Sequence, residues 1–174
     1  MRIVVLACAV TAAVLTGCGF TPLYGEHGVA SAPGVVSEMS HVSIRQMADR
    51  QGMRLRQVLR EQLQPTGLAS PVKYDLDVTL TSRVEELGIR TDATSSRANF
   101  ILSANFYLSS NGQRLVGDRV QAMVSYNILD DQYATVAAQA DAEERAIREA
   151  GLEIKTRLAV YFKKHAASQS ANAG

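Results

Sequence analysis

The 174-residue chain is poor in the residue types from which metal, thiol and nucleotide chemistry are built. It has three histidines, His27, His41 and His165, scattered along the chain, two of them in segments that read as loops or ends. They read as solvated or capping residues rather than as ligands of one ion. No glycine-rich phosphate loop and no nucleophile elbow occurs. The two cysteines, Cys8 and Cys18, both lie in the first eighteen residues, so no thiol is available to a catalytic site further on. Charge of one sign is also lacking: 18 basic residues face 17 acidic ones. That excludes the strong positive field of a nucleic-acid binder. After Leu15 no apolar run approaches the roughly 20 residues that a helix needs to cross a bilayer. No enzyme class is indicated and no cofactor is expected, which leaves binding or structural roles.

What is present begins at the N-terminus. Met1-Arg2 is followed by an apolar run from Ile3 to Leu15. One positive charge before a short apolar stretch is the layout of a secretory signal. The run ends Leu15-Thr16-Gly17-Cys18, which resembles the lipobox of bacterial lipoproteins. The chemistry explains the residue types. The Cys18 thiol receives a diacylglyceryl group as a thioether, and small residues before it let the backbone enter the signal peptidase. Residues 1–17 are therefore expected to be a signal peptide and Cys18 the lipidation site. Cys8 is a small apolar filler of the signal core. With no disulfide available, a periplasmic domain must be stabilised by its core. Stable membrane anchoring takes two lipid signals, and a triacylated cysteine carries three chains. Gly19 follows Cys18. By resemblance to Gram-negative lipoproteins, an aspartate there would retain the protein at the inner membrane, so its absence implies the outer membrane, facing the periplasm. Loss of Arg2 leaves 17 basic against 17 acidic residues, so net charge falls from +1 to zero.

Residues 18–34 form the lipidated N-terminus and a Gly- and Pro-containing tether without periodicity, 35–165 a single α+β domain, and 166–174 a small, polar tail expected to be disordered. Within the domain, Val35 to Ile44 contains a short strand with Val42 and Ile44 on one face. Asp49 to Gln64 reads as a helix, with Asp49 as N-cap, an apolar stripe of Leu55, Val58, Leu59 and Leu63, and Pro65-Thr66-Gly67 as its stop. Tyr74 to Glu85 alternates, Tyr74, Leu76, Val78, Leu80 and Val84 facing one way, and the pattern can run on through Leu87 and Ile89. After a polar turn over Asp92 to Ser96, a second strand alternates from Ala98 to Leu108. Asn111-Gly112 then signals a tight hairpin, and a third strand runs from Arg114 to Ile128. Thr135 to Lys164 reads as a long helix. The order β-α-β-β-β-α predicts a two-layer sandwich, with two helices packed on one face of a mostly antiparallel four-stranded sheet. The other face, rich in Thr, Ser, Asn and Arg, is left to water or a partner.

Arginines are unevenly placed. Arg50, Arg54, Arg56 and Arg60 lie opposite the apolar stripe of the first predicted helix. They form either a solvated face or a contact for lipid headgroups or phosphates. Arg90, Arg97, Arg114 and Arg119 flank the strand turns and permit the same two readings, since guanidinium suits bidentate phosphate contacts. The carboxylates Asp141, Glu143, Glu144 and Glu149 alternate with Arg145, Arg148 and Lys155 at helical spacing and read as surface ion pairs.

The segment Cys18-Gly19-Phe20-Thr21-Pro22-Leu23-Tyr24-Gly25 resembles the mature N-terminus of LptE, the lipopolysaccharide-assembly lipoprotein, in its alphaproteobacterial form. The domain's order of elements is similar to that family's layout. The resemblance implies a plug inside LptD, a large outer-membrane β-barrel, in a complex that moves lipopolysaccharide to the cell surface. It also implies lipopolysaccharide binding through basic residues near the loop after the first meander strand, which matches Arg90, with Arg97 close by. A second basic residue is expected near the start of the last helix, where Val136-Ala137-Ala138-Gln139 carries none. The competing reading is a lipid-binding auxiliary lipoprotein of another envelope transport system.

Overall fold

The alternation that begins at Tyr74 is realised along three long strands. A computed structural model of the chain describes residues 33–69, 71–89 and 95–172; Cys18 and Arg90 lie outside the described residues. In chain order the elements are α1 (Pro33–Ser40), β1 (Val42–Ile44), α2 (Arg50–Leu63), β2 (Tyr74–Ile89), β3 (Ser95–Ser110), β4 (Gln113–Asn127) and α3 (Gln132–Asn172). The strands form one sheet in the order β1-β2-β3-β4. β2 pairs antiparallel with β3, and β3 with β4, while β1 runs parallel to β2 and reaches it through α2. This is the expected α+β sandwich on a mostly antiparallel four-stranded sheet.

Local chemistry accounts for the joints. Asn111 and Gly112 take positive φ of 51° and 77°, and Ser110 pairs with Gln113 across them. That is the two-residue hairpin whose twist matches the strands. Asp49 accepts a hydrogen bond from the Gly52 N–H and so caps α2. Phe100, Leu102, Phe106 and Leu108 of β3 are buried together with Leu76 of β2 and Val120 and Tyr126 of β4. Leu55, Leu59 and Leu63 of α2, and Ile147, Ile154 and Leu158 of α3, cover them. Each such side chain contributes about 1.5–3 kcal/mol by leaving water.

The structure departs from the sequence reading in four places. A helix, α1, occupies Pro33–Ser40, where a tether up to residue 34 and then an extended segment are expected. Pro33 fits the first helical position, and Val35 and Met39, one turn apart, are both buried. α3 starts at Gln132 and continues to Asn172, through most of the stretch expected to be a disordered tail; its alanines favour helix. Ser95 and Ser96 belong to β3 rather than to a turn. Val84, on the apolar side of β2, is 42% exposed, because its half of β2 runs past the helices that cover the sheet.

Candidate functional site

On the sheet face turned away from the helices, cross-strand polar pairs form a ladder. Asn105 accepts from Arg119 Nε at 2.8 Å, Ser125 Oγ donates to Asn99 at 2.7 Å, and Arg45 lies 3.6 Å from Asp77. The Arg114 guanidinium lies 3.5 Å from the Tyr107 ring centroid, a cation–π contact. Gly117 makes room for it, since a Cβ there would come within 2.6 Å of both Arg114 Nη2 and Tyr107 Cδ1. Arg114 and Arg119 are thus engaged within the face. Ile101 is buried on this side between Arg83 and Met123, its partners in the sheet.

Several grooves border the sandwich among the described residues, and three of them bear on the site. The first, of about 490 Å³, lies where the ends of β3 and β4 meet α3 and is lined by Arg97, Ser125, Tyr126, Asn127, Leu129, Ala138, Asp141 and Arg145. Arg97 stands in register with Asn127 on one side and Leu87 on the other. Asp141 accepts from Arg145 Nε at 2.8 Å. The sequence-predicted Arg97 is therefore brought together with Arg145, which sequence reasoning assigned only to a surface ion pair. No local motif marks the two as neighbours.

The second groove, about 420 Å³, is lined by Phe106, Val116, Asp118, Glu153, Thr156, Arg157, Val160, Tyr161 and Lys164. Arg157 bridges Asp118 and Glu153 on its wall. Backbone donation from Arg119 and the Arg157 guanidinium hold the Asp118 carboxyl below the ordinary carboxylate range. The third, about 410 Å³, lies beside α2 and is lined by Met47, Met53, Arg56 and Arg60 among others.

The arginine-rich side of α2 is solvent-exposed, and three of its arginines also reach neighbouring elements. Arg50 donates to Glu143 at 2.9 Å and Arg54 to Glu144 at 2.7 Å, tying α2 to α3. Arg56 donates to the Ile44 carbonyl of β1. Glu144 also pairs with Arg148 one turn on, as the sequence spacing predicts.

A polar cluster joins α1 to the start of β2. Glu38 accepts from Lys73 Nζ at 2.8 Å and from the Tyr74 hydroxyl at 3.0 Å. The Lys73 ammonium holds the Glu38 carboxyl down. Burial, and then the bond to Glu38, push the Tyr74 phenol up to about 12, so this tyrosine stays protonated and acts as a donor. Among the described residues no polar or charged residue is fully buried, and no group of three His, Cys, Asp or Glu is placed to hold a metal ion.

The fold is found again in known proteins. The chain is similar to a crystal structure named as a lipoprotein from Caulobacter crescentus CB15, with 28% identity, a TM-score of 0.61, and coverage of 75% of this chain and 96% of that one. It shares the fold of a minor lipoprotein from Acinetobacter baumannii, at 16% identity and a TM-score of 0.54, over 68% of this chain and 88% of that one. No family model and no curated protein matches the chain. His41, expected as a solvated or capping residue, has its Nδ1 2.7 Å from the Pro71 carbonyl, and His165 lies against Tyr161.

Proposed function

We propose that the chain is an outer-membrane lipoprotein, anchored through Cys18 and facing the periplasm, that docks as a plug in the LptD barrel and assists lipopolysaccharide transport to the cell surface. What carries the reading is the sandwich held in common with the Caulobacter lipoprotein at 28% identity over 96% of that chain. The lipobox resemblance of Leu15 to Cys18 supports the anchor, and the polar ladder of the open sheet face suits a water-lined lumen. In this reading Arg97 and Arg145 meet lipopolysaccharide phosphates in the first groove, and Arg90 precedes Arg97 by seven residues in the sequence. The full chain, tagged at its C-terminus and extracted from outer membranes in detergent, is expected to bring down a large β-barrel identified by mass spectrometry. Absence of any barrel overturns the docking role. Cys18→Ala is expected to lose metabolic fatty-acid label; a labelled mutant overturns the anchor.

The second groove favours the competing reading, a lipid-binding auxiliary lipoprotein of another envelope transport system. Phe106, Val116, Val160 and Tyr161 give it apolar walls, and Lys164 adds a cation. Purified protein that carries phospholipid through purification, without any barrel, would favour that alternative.

A further inference from the structure

β1 covers only the start of β2's outer edge: Val42, Ser43 and Ile44 lie beside Tyr74, Asp75 and Leu76. There the backbone is satisfied. The Leu76 carbonyl accepts the Arg45 N–H at 2.9 Å, and the β1 carbonyls of Val42 and Ile44 are taken by the side chains of Gln64 and Arg56. From Asp77 to Ile89, among the described residues, no strand pairs with that edge of β2. Because the Leu76 carbonyl points to this edge, strand alternation turns the N–H and C=O of Val78, Leu80, Ser82, Val84 and Glu86 the same way. Thr81 to Gly88 are all exposed. A long edge with unpaired backbone groups is a template for another strand.

The side chains decide which strand. We propose that this edge pairs with the same edge of a second copy, antiparallel and centred on Val84. In that register Val84 faces Val84, Arg83 faces Glu85 in both directions, and Thr81 faces Leu87. The outward-pointing residues Ser82, Val84 and Glu86 fall opposite Glu86, Val84 and Ser82 as hydrogen-bonded pairs. Arg83 and Glu85 fall at the non-hydrogen-bonded positions, where Cα atoms approach to about 4.5 Å and side chains interact most. The neighbouring registers set Arg83 against Arg83 or Glu85 against Glu85. Edge charges usually keep strands apart, but here opposite signs alternate on one face and are complementary to themselves. Within one chain Arg83 Nε already meets Glu85 at 2.9 Å, with the side chains 55% and 48% exposed. Pairing replaces that bridge with two across the interface. The contact is two-fold symmetric and closes as a dimer.

Cysteine cross-linking reads the register directly. Val84→Cys in the full chain, oxidised in the membranes of expressing cells, is expected to give a disulfide-linked dimer absent from the wild-type chain, since Cα atoms of such a pair lie about 5.5 Å apart. Thr81→Cys alone and Leu87→Cys alone are expected to give none, and the two co-expressed to give the mixed dimer. With Val84→Cys, adding Arg83→Glu is expected to lower the dimer roughly five- to tenfold, because both attractive pairs become like-charged. Arg83→Glu with Glu85→Arg is expected to restore it, a recovery that misfolding would not show. A Val84→Cys yield no greater than that of Gln121→Cys on β4 overturns the proposal, as does a charge exchange that restores nothing. Disulfide capture of a different protein with no dimer also overturns it.

Discussion

Gly52 sits in the first turn of α2, against Met47. A Cβ there would lie 2.5 Å from Met47 Cβ and 2.7 Å from the capping oxygen of Asp49. Neither is the loose end of a long side chain, so relief requires the turn to shift and the cap to loosen. In an unconstrained helix, Gly→Ala stabilises by about 1 kcal/mol. Here the sign is expected to reverse, with Gly52→Ala destabilising by about 1–3 kcal/mol in a denaturant titration. Gly151 poses a milder case: its missing side chain admits a Val58 methyl, 2.7 Å from where a Cβ would stand, and brings α2 and α3 together. At Tyr74 the coupling is to protons. Its pKa is raised from 10.0 to about 12, so the unfolded chain releases this proton first. The associated stability is fully present below pH 10 and is lost as pH climbs towards 12. Tyr74→Phe keeps the ring against Phe162, 5.1 Å between centroids, and is expected to flatten the alkaline fall in melting temperature. An unchanged alkaline slope would show that another group titrates there.

The elements divide by how far their determinants are local. β3 is flanked along its length, and Phe100, in its middle, is 3% exposed. Phe100→Asp places a charge among Val84, Val124 and the helices with no partner provided, and is expected to cost several kcal/mol or abolish folding, as read by thermal melting. Such elements were legible in the sequence. Period-two alternation marked all three long strands and their buried sides, Asn111-Gly112 fixed one hairpin, and Asp49 marked the start of α2. What escaped depends on the third dimension. Val84 alternates like a core residue, yet its burial depends on where the helices end. Ile101 has the parity of a solvent residue, yet Arg83 and Met123 close over it. Pro33-Gly34 reads as a breaker until Val35 and Met39 are seen packed into the core. The arginines of α2 showed a polar face, but not that Glu143 and Glu144 wait across from it. Because Arg50 and Arg54 are committed to those carboxylates, replacing both by Gln is expected to lower the melting temperature slightly and to leave lipopolysaccharide binding unchanged. A large loss of binding would return that face to the anion-contact reading.

At the scale of the molecule, charge is spent internally. Ion pairs tie α2 to α3, α3 to β4 and α1 to Lys73 just before β2, which leaves a near-neutral body whose recognition of an anion must be local. In the groove of Arg97 and Arg145, basic side chains from two distant parts of the chain converge beside an apolar wall. Its chemistry is not purely attractive, because Asp141 already holds Arg145. A phosphate entering the groove gains the guanidinium only against that carboxylate. Two substitutions on one helix turn should therefore act in opposite directions. Arg145→Gln is expected to weaken lipopolysaccharide binding by the purified protein about fivefold, the scale of an exposed ion pair of roughly 1 kcal/mol. Asp141→Asn, which frees the guanidinium and removes a repelling charge, is expected to strengthen binding by a similar factor. Both should become less pronounced as salt rises, since the groups are exposed and screened. Under the docking proposal neither should alter recovery of the barrel, because that proposal assigns docking to the sheet face and not to this groove. If Asp141→Asn weakens binding as much as Arg145→Gln does, the ion pair itself shapes the groove and the phosphate assignment is wrong.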